Sequence, residues 1–129
     1  MKEIFKAGAI KEHRAIVKRE DVAAFQGVVV HEVCSTFAMA REVEWATRLF
    51  VLDMKEDHEE GIGTFLEIRH EGPAFVGDEI IITGVYEAMK GIELTCTFEA
   101  RVGDRLIAYG KTRQKILTLE KIKSIFGHG

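Results

Sequence analysis

Gly91-Ile92-Glu93-Leu94-Thr95-Cys96-Thr97-Phe98-Glu99-Ala100-Arg101-Val102 decides the fold. Ile92, Leu94, Cys96, Phe98, Ala100 and Val102 fall on one parity, and Glu93, Thr95, Thr97, Glu99 and Arg101 fall on the other. Successive side chains of a strand point to opposite faces, so this alternation describes a strand with one face in a core and one in water. Turn chemistry brackets it: Met89-Lys90-Gly91 before, Val102-Gly103-Asp104-Arg105 after. The flanking segments Asp78–Ala88 and Arg105–Leu119 are β-rich and of similar length, which predicts a three-stranded antiparallel meander. A fourth strand, Gly61–Glu71, precedes it across the turn Gly72-Pro73 and the connection Phe75-Val76-Gly77-Asp78.

Further upstream the pattern changes. Phe37 to Leu52 contains no glycine or proline and few β-branched residues, which suits a helix of roughly four turns. Met39, Val43, Ala46 and Phe50 make one apolar stripe, and Ala38, Trp45, Leu49 and Leu52 make an adjacent one. Apolar surface around more than half of the circumference predicts a helix largely enclosed by the protein. Ser35 or Thr36 is its N-cap, and the acidic stretch Asp53–Glu60 closes it. His13–Val17 reads as a short strand before the helix, and Leu119, Ile122, Ile125 and Phe126 as a terminal turn of helix. The order is β-α-β-β-β-β, an α+β domain with a long antiparallel sheet around one central helix. Such a sheet leaves strand edges exposed, and pairing with a second copy is a common remedy, so a homodimer is expected.

Composition narrows the functional classes. The chain has 129 residues, 47% hydrophobic and 30% charged, which is globular composition and one domain's worth of chain, residues 1–129. Apolar runs are far too short to span a bilayer, and Met1-Lys2-Glu3 leads into no signal-like apolar segment, so cytoplasmic residence without membrane association is expected. A formal charge of -3 argues against a dedicated nucleic-acid binder. Two cysteines, Cys34 and Cys96, make neither a disulfide framework nor a zinc site. Phosphate-binding loops, G-x-S-x-G elbows and dinucleotide fingerprints are all absent from the sequence.

Several residues could carry chemistry. In Gly61–Glu71 the inward row reads Ile62, Thr64, Leu66, Ile68, His70, which places a titratable histidine at the sheltered end of an apolar row. The plainer reading is a core-edge histidine bonded to a backbone carbonyl. Glu44 lies on the helix's narrow polar arc with Arg41 and Arg48. Its plainer reading is an i, i+4 ion pair with Arg48; a sheltered carboxylate can also act as a base. Thr36 stands eight residues before Glu44. In a continuous helix that is about 12 Å along the axis and about 80° around it, too far for a direct contact. The two share a site only if Thr36 lies in the lead-in coil or the site is assembled across subunits. The helix start also offers free backbone N–H groups to an oxyanion. Cys34 with His31 has no defined geometry, and Glu56-Asp57-His58-Glu59-Glu60 reads as a solvated acidic turn before it reads as a metal site. Lys111, Arg113, Lys115, Lys121 and Lys123, offset by Glu120, make a basic segment that would attract an anion.

Thr36, Glu44-Trp45-Ala46, Gly63-Thr64, His70 and Gly77-Asp78 together resemble the hot-dog-fold thioesterases, and within them the fluoroacetyl-CoA thioesterase-like subgroup. The resemblance runs from about Val33 to Leu117 and rests on spacing: threonine eight residues before glutamate, glycine seven before histidine. It implies a hot-dog fold and hydrolysis of an acyl-CoA, or acyl carrier protein, thioester at a dimer-interface site, with no cofactor and no metal. It implies catalytic roles for Thr36 as nucleophile or water-positioning group, His70 as proton shuttle and Glu44 as its orienting group or base, with the Gly63 backbone against the acyl or thioester group. Two positions depart from the subgroup. Its last strand carries G-x-H-x-R, where this chain has Gly110-Lys111-Thr112-Arg113-Gln114, so Arg113 falls on the opposite face; Lys111 and Arg113 are accordingly read as substrate-phosphate contacts. The region ahead of Thr36, aromatic in the fluoroacetyl-specific enzyme, here reads Gly27-Val28-Val29-Val30. A non-catalytic acyl-CoA or small-ligand binding domain and a hot-dog hydratase or dehydratase stand as the alternatives.

Overall fold

The computed structural model describes residues 1–25 and 28–127. Strands β1 (Ile10–Ile16), β4 (Glu59–His70), β5 (Glu79–Lys90), β6 (Glu93–Val102) and β7 (Arg105–Thr118) form one antiparallel sheet in the order β1-β5-β6-β7-β4. Helix α1 (Thr36–Met54) lies across one face of it, and α2 (Leu119–Phe126) ends the described chain. Between β1 and α1, β2 (Val22–Phe25) and β3 (Val28–Cys34) pair in a small separate hairpin, which the sequence pattern did not announce. Gly27 of the divergent Gly27–Val30 region lies outside the described residues; Val28–Val30 belong to β3. No helix among the described residues is long and apolar enough to cross a membrane.

The meander is built as its alternation requires. Leu94, Cys96, Phe98 and Ala100 of β6 are buried under α1, together with Ile80, Ile82 and Tyr86 of β5. The hairpin loops open on Gly91 at φ 59° and Gly103 at φ 57°, left-handed backbone that side chains seldom tolerate. Helix α1 is capped by Ser35, whose hydroxyl accepts the Ala38 N–H at 3.0 Å. Thr36 is therefore the first helical residue and not the cap.

The helix buries the first stripe whole and the second only in part, at Ala38. Met39, Val43, Ala46 and Phe50 are fully buried, but Phe37 is 82% exposed, Trp45 45% and Leu52 37%. Within one chain the sheet encloses only the side of α1 that faces it, so the expectation of a largely enclosed helix is corrected: of the second stripe, Ala38 is buried while Trp45 and Leu52 are left exposed.

A second correction concerns β4, the free edge beside β7. Gly63 pairs with Gln114 and Phe65 with Arg113, so Thr64 is an extra residue, a β-bulge. A bulge reverses parity. Gly61 and Gly63, opposite buried Ile116 and Gln114, face the helix before it; Leu66, Ile68 and His70 face the helix after it. Ile62 and Thr64 therefore leave the inward row, and Thr64 instead donates its hydroxyl to Glu93 at 3.0 Å.

Candidate active site

The start of α1 and the end of β4 meet. Ser35 caps the helix, which frees the Thr36 hydroxyl, and the post-bulge parity of β4 turns His70 toward it. Thr36 Oγ1 lies 3.0 Å from His70 Nδ1. With Nδ1 unprotonated, the hydroxyl donates to it, the polarity needed to draw a proton from an alcohol. The amide N–H groups of the helix's opening turn stand beside this pair, and those of Thr36 and Phe37 precede the point where intrahelical acceptors begin.

Glu44 is not part of that pair. It lies more than two turns along α1 and borders a cavity of about 540 Å³ whose walls include Trp45, Gly61, Gly63, Phe65, Thr112 and Gln114. Its carboxylate does not hold Arg48. The guanidinium reaches across to Glu60 Oε1 at 2.7 Å, which also accepts the Gly61 N–H, so the expected i, i+4 pair is replaced by a helix-to-strand pair. The single chain thus keeps two groups of candidate residues apart: Thr36 with His70, and Glu44 with Gly63. Residue steps along β4 put Gly63 about 20 Å from His70.

The two glycines make the cavity. A Cβ on Gly63 would meet nothing within 4 Å, so the space above this position is open. A Cβ on Gly61 would stand 2.7 Å from Val51 Cγ1, so the strand can approach the helix closely only without a side chain there.

The cationic residues of β7 lie on the other face. Lys111 Nζ is 3.3 Å from Glu87. Arg113 stacks its guanidinium 4.6 Å from the Phe65 ring centroid at the cavity wall, and no carboxylate pairs with it among the described residues. The acidic turn is consumed internally: Glu56 and Glu59 hold the N-terminal amine, and Glu60 pairs with Arg48 and Lys55. No group of three metal-ligand side chains is assembled among the described residues. Burial pushes the Cys34 thiol up to about 11 and that of Cys96 to about 12, so neither supplies a thiolate near neutrality.

Sequence reasoning missed a buried polar trio. Thr47 Oγ1 lies 3.2 Å from the carbonyls of both Val43 and Glu44, 2.9 Å from Thr112 Oγ1 and 3.4 Å from Gln114 Nε2. The signal was legible: Thr112 and Gln114 interrupt the inward row of β7, between Ala108 and Ile116, with polar groups. Also missed was the pair His13 Nε2 to Glu42 Oε2 at 2.7 Å, which needs β1 and α1 to be side by side.

The model of the family described as fluoroacetyl-CoA-specific thioesterase matches residues 17–120. The chain belongs to that family. The fluoroacetyl-CoA-specific thioesterase family is one of acyl-CoA thioesterases, and its match takes in Thr36, Glu44, Gly63, His70 and the cavity. Among solved structures, a Thermus thermophilus hypothetical protein described as a thioesterase superfamily member is similar, with a TM-score of 0.92 and 29% identity over 97% of this chain and 93% of that one. The fluoroacetyl-CoA thioesterase FlK superposes with a TM-score of 0.87 at 20% identity, over 95% of this chain and 96% of that one. A hot-dog-like protein from Thermanaerovibrio acidaminovorans does so at 0.88 and 16% identity, over 97% and 93%. No curated protein sequence matches significantly. The fold is thus the hot-dog fold that the resemblance implied, with the meander and helix read from the sequence as its parts.

Proposed function

We propose that the chain hydrolyses an acyl-CoA thioester to the free acid and CoA, at a site shared between two copies. The observation that carries this reading is the 3.0 Å contact between Thr36 Oγ1 and His70 Nδ1. His70 takes a proton from Thr36, or from a water held by Thr36, as oxygen attacks the thioester carbonyl. The opening N–H groups of α1 hold the oxyanion. The proton then passes from His70 to the departing CoA sulfur, and water completes the conversion to the acid. An acyl adduct detected by mass on Thr36 marks the covalent route; its absence during turnover marks the water route.

Glu44 joins this pair through a second copy. The β4 edge is unpaired, and the partly bare stripe of α1 with half-exposed Phe65 gives it apolar flanks. Antiparallel pairing of two β4 edges about a two-fold axis at Glu67, with Thr64 bulged out of the ladder, sets His70 opposite Gly63 of the partner subunit. That joins the two groups, with Glu44 orienting His70 or acting as base and the open space over Gly63 receiving the acyl or thioester group. Arg113, free of a carboxylate, is the phosphate contact for the CoA moiety; Lys111 would serve only by leaving Glu87.

The test is thiol release from a broad panel of acyl-CoAs, with acyl carrier protein thioesters beside them. Thr36→Ala, His70→Ala and Glu44→Ala should each lower kcat by roughly 10²–10⁴. Unchanged hydrolysis in the three variants would overturn the assignment. The replacement of the subgroup's histidine and arginine by Thr112 and Gln114 favours one second reading, acyl-CoA binding without turnover, which calorimetry would reveal.

A further inference from the structure

The Thr47–Thr112–Gln114 trio sits at the floor of the cavity, and hydrogen-bond bookkeeping fixes which way each group points. Thr47 is fully buried. It has one hydroxyl proton, and the carbonyls of Val43 and Glu44, both 3.2 Å away, can only accept it. Toward its other two neighbours Thr47 can therefore only accept. Thr112 must spend its own proton on Thr47 at 2.9 Å, and Gln114 must turn its NH₂ group to Thr47 at 3.4 Å. The Gln114 Oε1 is thereby directed away from Thr47. Gln114 is only 7% exposed and forms part of the cavity wall, across the strand from Gly63, where space is open. Among the described residues no buried side-chain polar atom lacks a partner, so the remaining carboxamide acceptor is one the cavity reaches.

The floor therefore offers an acceptor, Gln114 Oε1, beside one further N–H, with Trp45 and Phe65 as its apolar neighbours and the charged groups of Glu44, Arg48 and Arg113 further along the wall. A purely hydrocarbon or fluorocarbon group packed against Gln114 would displace water from that acceptor without replacing its hydrogen bond, which is costly. A hydroxyl satisfies both, donating to Oε1 and accepting from the N–H.

We propose that Gln114 is a specificity-determining residue that selects acyl groups carrying a hydroxyl, held in orientation by Thr47 and Thr112. This rests on the thioesterase reading for the identity of the ligand, and its test is a binding measurement that needs no turnover. The probes are two non-hydrolysable thioethers, S-hydroxybutyl-CoA with its hydroxyl on the third carbon and S-butyl-CoA, titrated calorimetrically against the full chain. The hydroxylated probe should bind about tenfold or more tightly, one good hydrogen bond's worth. In Gln114→Met, close in size and without polar atoms, the ratio should fall to near one, with folding verified by circular dichroism. Equal binding of both probes by the native chain overturns the proposal, whatever the variant does. So does a ratio that survives in Gln114→Met, or a loss of equal size on both probes, which would move the contact to the pantetheine arm. If both thioethers discriminate as expected but no acyl-CoA is hydrolysed, the specificity assignment stands and the catalytic reading falls.

Discussion

Ser35 and Thr36 divide labour at adjacent positions. The capping bond to Ala38 occupies one hydroxyl and releases the next to His70. Exchanging the two roles would leave the helix equally capped and the histidine without its partner. Gly61 shows the opposite situation, a residue defined by what it lacks. A Cβ there meets Val51 Cγ1 at 2.7 Å, so Gly61→Ala should destabilise the fold by about 1–3 kcal/mol. The cost should be non-additive with Val51→Ala, which removes the obstructing methyl: the double variant should lie closer to Val51→Ala alone than to the sum. Denaturant unfolding of the three variants measures this, and additivity would show that the strand yields instead. Thr36, Glu44 and His70 could be proposed from the sequence because their spacing matches that of the family it resembles, and only the contact of Thr36 with His70 is formed within one chain. Thr112 and Gln114 show in the sequence only as polar breaks in the inward row of β7, and their link to Thr47 arises when a helix and a strand bring the three together.

At the scale of elements, α1 and β4 carry the residues proposed for the chemistry, and Glu60 fastens one to the other. The Gly61 N–H, and then the Arg48 guanidinium, hold the Glu60 carboxyl below the usual glutamate range against the opposing effect of burial. A depressed folded pKa contributes stability above the ordinary glutamate value of about 4.3, and that contribution is lost as pH falls through the lower folded value. Because the pair is partly solvated, it is worth about 0.5–1 kcal/mol. Glu60→Gln should thus melt about 2–5 °C below the native chain at pH 7, and the gap should close as the pH falls below about 4. A gap independent of pH would show that the carboxylate's charge does not matter. Helix α1 itself was legible from composition, since it lacks glycine and proline. Its burial was misjudged because apolar periodicity does not say how much of the circumference other elements cover, and here the sheet covers only the side that faces it. The β2–β3 hairpin escaped notice because its short strands carry no clean alternation.

For the whole molecule, the partly bare helix stripe and the free β4 edge are two sides of one deficiency. A homodimer of about 29 kDa, twice the 14.5 kDa chain, is the expected species in sedimentation at micromolar concentration. A 14.5 kDa monomer that retained full thioesterase activity would refute the shared site. The meander was legible to within two residues because its turns and alternation are local. The parity of β4 was not, since one inserted residue is invisible to a period-two count until the partner strand is known. That single bulged threonine gives the strand something like a reading frame. Substitutions along it can alter the pocket gradually, and loss of Thr64 itself would only close the ladder, because Gly63 opposite Gln114 and Phe65 opposite Arg113 are already consecutive pairs; loss of one residue between Leu66 and His70, in contrast, would slip the register by one and swing His70 to the far side of the sheet. Drift in this chain is thus free in letters but rigid in length across these few positions, and lineages that retain the histidine's post should be recognisable by their unvarying count.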